Sequence, residues 1–224
     1  MSLQFEVRPS ESPYVDSITH GWTDGEGSTV RPAESHWHWV MVKQGDKLRA
    51  IVTGALTTAG VVSWGSEAEI LWIKFKLGTY LSPLPGVRLV NKETPLPDAS
   101  SRSFWLHGSA WQVPTHENVD TFIARLVRED ILRHDPIVAS ALNGEARAVS
   151  PRTLRHRFLH ATGLSHNDVH QIERAKRAAA LLAQGVSILD TVHDVGYYDQ
   201  PHLTRSLKRW VGHTPAKLLA AGDS

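Results

Sequence analysis

Up to about residue 114, apolar positions recur in short runs broken by turn-forming residues, the rhythm of strands and not of helices. The stretch His36-Trp37-His38-Trp39-Val40-Met41-Val42 leads through Gln44-Gly45-Asp46-Lys47 into Leu48–Val52, a hairpin signal. Val61–Trp64, Ile70–Leu77 and Phe104–Leu106 with Trp111 read as further strands. Ser82-Pro83-Leu84-Pro85-Gly86 and Thr94-Pro95-Leu96-Pro97 punctuate them. No strand here alternates with a convincing helix, so an antiparallel, barrel-like β domain is expected over 1–114.

From Thr115 the period becomes helical. Thr115 is placed to cap a helix with Val119, Phe122, Ile123, Leu126 and Val127 on one face. Asp135-Pro136 opens a short helix that ends near Asn143-Gly144, and Ser150-Pro151 opens another carrying Leu154 and Phe158, stopped by Gly163. Ser165, with Asp168 three residues on, starts a longer helix whose face is Val169, Ile172, Ala175, Ala179 and Leu182. Then comes "SILDTVHDVGYYDQPHLTRSLKRW", 187–210, an amphipathic run broken at its centre by Gly196. Ser187 caps a helix with Ile188, Val192 and Val195 on its inner face, and Gly196 ends it in the left-handed conformation. Tyr197 anchors the turn, Asp199 caps the next helix, and Pro201 is tolerated in its first turn. Leu203, Leu207 and Trp210 bury that second helix. The break makes a helix-turn-helix. The fold class is therefore α+β: a β domain over 1–114, then an all-α domain over 115–224 with two helix-turn-helix units joined by a linker helix.

Charge sharpens this picture. The chain of 224 residues carries a net charge of only +1. Between 147 and 217, however, eleven basic residues stand against five acids, leaving −5 for the remainder. Such a split is expected where one part meets a polyanion. On the exposed side of the last long helix lie Gln200, Pro201, His202, Arg205 and Arg209, types that reach base edges, with Thr204 and Lys208 placed for backbone contacts. "SPRTLRHRFLHATG", 150–163, has the same grammar, with Arg152, Arg155 and His156 outward. A helical hairpin with a solvated basic face is the competing reading. The helix from about 168 to 184 is roughly 25 Å long at 1.5 Å per residue. That length suits a rod holding two recognition helices about 34 Å, one DNA turn, apart.

"SPRTLRHRFLHATGLS", "IERAKRAAALL" and "SILDTVHDVGYYDQPHLTRSLKRWVGHTP" together resemble the AraC-type transcription regulators. The last segment carries the second-unit signature: Gly196, Tyr197, Leu203, Arg205, Lys208-Arg209, Gly212 and Thr214-Pro215. The resemblance implies that Arg152, Arg155 and His156 read one major groove of double-stranded DNA, and that Gln200, Pro201, His202 and Arg205 read the next. It further implies RNA polymerase as a partner, a small-molecule effector at the N-terminal half, and a homodimer as one oligomeric state. Two features depart from the pattern. The 141–150 connection, "NGEARAV", is about three residues longer than the usual first-unit turn, and Pro201 offers a base only apolar contact.

The N-terminal half, especially "LWIKFKLGTYLSPLPG" (71–86), resembles more loosely the sensor-type domain of some members. Trp22, Trp37, Trp39, Trp64 and Trp72 are either an effector pocket lining or simply core. His36 and His38, with Glu34 and the distant His116, offer metal-ligand types, but half-exposed strand histidines account for them and neither metal nor cofactor is expected. A metal-dependent β-barrel enzyme with an accessory helical part stays open as an alternative, as does a protein-interaction module that has lost DNA specificity. The absence of cysteine excludes thiolate zinc, disulfides and alkyl transfer to a thiol. No apolar stretch is long enough to span a bilayer and no secretory signal is visible, so a cytoplasmic location is expected.

Overall fold

The structure, a computed structural model, describes residues 3–100, 102–145 and 149–222. The middle of the long first-unit connection, 146–148, lies outside them. By compactness the chain forms two units. The first comprises 1–27, 36–55 and 63–165; the second comprises 28–35, 56–62 and 166–224.

The strands run β1 (Leu3–Arg8), β2 (Val15–Thr23), β3 (Gly27–Arg31), β4 (His38–Gln44), β5 (Lys47–Thr53), β6 (Gly60–Trp64), β7 (Ala68–Phe75) and β8 (Thr79–Leu81). A four-residue helix α1 (Gly86–Leu89) precedes β9 (Glu93–Pro95), β10 (Asp98–Ser100), β11 (Ser103–Leu106) and β12 (Ser109–Gln112). Then follow α2 (Val119–Arg128), β13 (Leu132–His134), α3 (Pro136–Leu142), α4 (Pro151–Thr162), α5 (His166–Ala183), α6 (Ile188–Val195), α7 (Gln200–Trp210) and α8 (Pro215–Gly222).

The main sheet of the first unit is antiparallel, in the order β1-β2-β7-β4-β5-β9. The hairpin read from 36–52 is β4–β5, with Gln44 opposite Lys47 across a two-residue turn. The expected closure into a barrel does not occur. Among the described residues β1 pairs only with β2 and β9 only with β5, so two edges stay open. β9 is three residues long and ends on Pro95, which has no amide to extend a ladder.

One face of this sheet presents Ile18, Trp39, Met41, Val52, Ile73 and Phe75 to the core, all essentially inaccessible to solvent. Phe104, Trp111, Phe122, Ile123 and Leu126, from β11, β12 and α2, complete the same cluster. Trp39 meets Phe104 and Phe122 edge-on, each at 5.4 Å between centroids, a favoured aromatic geometry. The expected amphipathic helix is therefore found, but it starts at Val119 and not next to Thr115. Asn118 Oδ1 accepts from the Thr115 amide at 2.8 Å and the Asn118 amide returns to the Thr115 carbonyl, which makes a turn ahead of the helix.

After α2, β13 pairs with β8, Leu132 opposite Leu81. Asp135 then caps α3, accepting from the Ile137 amide at 2.9 Å. The end of α4 is pressed onto α1: a Cβ on Gly86 would sit 2.5 Å from the Gly163 amide nitrogen. Gly163 itself is left-handed, at φ 77°. Backbone approach this close is available only without side chains on either partner.

In the second unit, α5 buries Val169, Ile172, Ala175, Ala178 and Leu182; Ala178, and not Ala179, takes the innermost position. Segments 28–35 and 56–62, far upstream, pack with these helices. The Ala33 amide donates to the Trp210 carbonyl at 2.7 Å and the Ala59 amide to the Arg209 carbonyl at 2.8 Å. These are carbonyls at the C-terminal end of α7, which have no partner within the helix. Lys176 on α5 pairs with Glu34 at 2.9 Å, and Ser35 donates to Glu173 at 2.6 Å.

Candidate nucleic-acid interface

Helix α6 ends at Gly196, left-handed at φ 73° with open space around it. Only the backbone conformation, not crowding, asks for glycine there. Tyr197 drops into the interior and its hydroxyl bonds Ser206 Oγ at 2.9 Å. Arg174 of α5 lies over its ring at 4.3 Å. Asp199 caps α7, accepting from the His202 amide at 2.7 Å, with Pro201 in the first turn. Ser187 caps α6 through the Asp190 amide. The caps, the left-handed break, the Tyr197 anchor and Pro201 read from 187–210 are in place, but in α6 the fully buried residue is Thr191, with Ile188, Val192 and Val195 half-buried.

Leu203, Ser206, Leu207 and Trp210 form the inner side of α7. The outer side carries Gln200, Pro201, Arg205, Lys208 and Arg209, all exposed. Thr204 and His202 are half-buried at its margins. Thr204 Oγ1 bonds the Gln200 carbonyl at 2.9 Å, and the His202 ring stands edge-on to Tyr197. Arg209 lies over the Trp210 ring at 4.2 Å. Among the described residues the Arg205 guanidinium has no ion-pair partner, which leaves its five-donor fork in the middle of an exposed helical face.

Helix α4, described by itself within the first unit, repeats the design. Ser150 caps it through the Thr153 amide at 3.2 Å, and Pro151 opens it. Phe158, Ala161 and Thr162 are buried, while Arg152, Arg155 and His156 are exposed. Arg157, by contrast, is committed: it pairs at 3.0 Å with Asp135, which is only 7% exposed and caps α3. That ion pair locks the two helices of the first hairpin together.

One surface residue escapes the sequence reading. Tyr198, in the turn between α6 and α7, is 92% exposed. An aromatic ring left in solvent beside Asp199 and Gln200 is a candidate backbone contact. No pattern signals it, because two adjacent tyrosines in a turn carry no period to say which is buried.

The tryptophans do not gather. Trp37 stacks on Phe75 at 3.8 Å and donates to the Thr79 carbonyl. Trp39 is core, whereas Trp72, opposite Val40 in the ladder, lies on the other face of the sheet from Trp39, against His38. Trp64 ends β6, and Trp22 on β2 is 42% exposed. His38 is buried, and His116 stacks with His20 at 5.2 Å. No helix among the described residues is long and apolar enough to cross a membrane.

Residues 145–221, which hold α4 to α8, match a family model described as a helix-turn-helix domain. The HTH-type transcriptional regulator RipA of Corynebacterium glutamicum is 29% identical over 196 residues, covering 78% of this chain and 57% of its own length. The HTH-type transcriptional regulator VirS of Mycobacterium tuberculosis is 42% identical over 73 residues, 32% of this chain and 21% of its own. The chain thus spans 57% or less of the length of these curated relatives. No solved structure matches it. With the caps, the left-handed break and the outward cations where they are, residues 145–221 form a helix-turn-helix domain of the AraC type.

Proposed function

We propose that the protein is a sequence-specific DNA-binding transcription regulator. The observation that carries this reading is the outer face of α7: Gln200, Pro201, Arg205, Lys208 and Arg209 exposed on a helix rigidly capped by Asp199. Arg205 reads a base edge, with guanine the natural match for its fork, Gln200 and His202 contribute at the leading end, and Thr204, Lys208 and Arg209 hold phosphates. Arg152, Arg155 and His156 on α4 engage a neighbouring segment of major groove. Residues 115–224 serve DNA binding and 1–114 sense a small-molecule effector or partner. RNA polymerase and a second copy of the chain are the macromolecular partners this reading implies. RipA and VirS, both HTH-type transcriptional regulators, support it by name.

The test is a titration of the full chain onto its own upstream DNA and onto scrambled DNA of the same composition, at two salt concentrations. Wild type should prefer the upstream sequence, and Arg205→Ala should lose about 1–3 kcal/mol of that preference. Equal affinity of wild type for both duplexes would remove the sequence-reading role.

A further inference from the structure

Two histidines stand one turn apart at the start of α5. His166 and His170 are at i and i+4, on the same side of the helix. Their Nε2 atoms face each other at 3.0 Å, with the ring centroids 4.2 Å apart and the planes crossed at 76°. His170 is exposed and His166 half-buried, so an ion in solution reaches the pair. The backbone beneath them is held in place, because Val169 and Ile172 on the same two turns are buried.

In the metal-free pair one Nε2 carries a proton and the other accepts it. A metal ion between them takes both Nε2 lone pairs while the donor ring moves its proton to Nδ1, so both rings stay neutral. The separation of the two nitrogens, 3.0 Å, decides which ion fits. With metal–nitrogen bonds of about 2.0–2.1 Å, the pair subtends roughly 91–97° at the metal. A tetrahedral zinc ion would need its two nitrogens about 3.3–3.4 Å apart, whereas near-right-angled ligation suits a tetragonal copper(II) or nickel(II) ion. The partial positive charge at the start of a helix works against a cation, and Asp168, in the same first turn, offsets it.

We propose that His166 and His170 form a chelating site for a divalent transition metal of tetragonal preference, copper(II) or nickel(II), with water in the remaining positions. The site uses none of the residues assigned to DNA, so it does not rest on the regulator reading. Occupancy ties the first turn of α5 to the second and resists fraying at an end whose first amides lack helical partners. The same helix carries Arg174 over the Tyr197 ring, so the turn between α6 and α7 packs against an element that the ion stiffens.

The experiment is titration of the full chain with copper(II) and nickel(II) by calorimetry, with electron paramagnetic resonance of the copper(II) form. Wild type should bind one copper(II) ion at a site that shows two equatorial nitrogens. His166→Gln and His170→Gln should each weaken that binding at least about tenfold, more than the loss of a supporting contact would, and leave one nitrogen. The chain has 13 histidines, so a control of register is included. His170→Gln combined with Gln171→His keeps that number but carries the ligand off the side of the helix where His166 stands. It too should lose the chelate. Acidification should weaken binding, because both rings must be neutral to ligate. Circular dichroism of each variant separates loss of the site from loss of the fold. Binding unchanged in both single variants or in the register control, or a wild-type spectrum with one nitrogen or none, overturns the proposal.

Discussion

A single backbone conformation decides whether 187–210 is one helix or two. Gly196 sits at φ 73° with nothing within 4 Å of where a Cβ would stand. Gly196→Ala therefore meets no clash, only the left-handed penalty, and should cost about 1–2 kcal/mol in chemical denaturation; Gly196→Asn should cost less. Asp199→Ala removes the acceptor for the His202 amide and should cost about 1 kcal/mol of stability. Its effect on DNA affinity should be larger than that of an equally destabilising core change, because the α7 leading end carries Gln200 and His202. Arg157 and Arg155 separate at this scale too: both are arginines in one helical turn, but Arg157 is committed to Asp135 and Arg155 is exposed with no ion pair among the described residues.

Between elements, the informative ties are those that bind distant segments. Arg8 on β1 donates to Asp120 on α2 at 2.9 Å, and Ser10 also bonds that carboxylate. Partial burial would raise the Asp120 pKa, but the Ser10 and Arg8 hydrogen bonds outweigh it and the group sits below its ordinary 3.8. A carboxylate with a depressed folded value contributes stability that is complete above the unfolded value and is lost as pH falls through the folded one. Arg8→Met should accordingly move the onset of acid unfolding to higher pH, followed by tryptophan fluorescence, and leave stability at pH 7 lower but the fold intact. His134 on β13 has the same pH dependence, although there the fold favours the neutral form. Burial lowers its pKa, so its contribution is present above the ordinary 6.5 and lost as pH drops through the lowered value. A second inter-element tie is steric. Gly86→Ala forces a Cβ to within 2.5 Å of the Gly163 amide nitrogen. It should loosen α1 from α4 and lower the melting temperature, without touching Arg152, Arg155 or His156.

For the molecule as a whole, the uneven charge is the property with the broadest consequence. Binding to duplex DNA should weaken linearly in log-log salt plots, with a slope of about −0.9 per neutralised phosphate. Lys208→Ala should reduce that slope by about one while leaving sequence preference unchanged, and Arg205→Ala should change the preference. Curves for specific and scrambled DNA, measured at several salt concentrations, separate the two effects.

How much of this was legible beforehand depends on the range of the interaction concerned. The caps at Ser150, Ser187 and Asp199 and the break at Gly196 act within four residues, so the order of residues states them directly. The β4–β5 hairpin was readable for the same reason. The main sheet order was not, because β2, β7 and β4 lie side by side only through long-range pairing, and neither β1 nor β2 stands out in the hydrophobic rhythm. The open edge at Pro95 likewise depends on where β9 arrives. His20, Lys43, Glu69, Arg102 and His116, which line a cleft in the first unit, belong to five separated stretches with no shared spacing, so no motif joins them.

By itself, then, the amino-acid order determined the caps and breaks of α4, α6 and α7, the outward placement of Arg152, Arg155, Arg205 and Arg209 and the β4–β5 hairpin, since periodicity and capping are local. Tertiary structure alone decided that the sheet stays open, that segments 28–35 and 56–62 finish the end of α7, and that two histidines and an arginine share a cleft. Those outcomes depend on which surfaces meet after the chain has closed long loops, and no window of neighbouring residues contains that information.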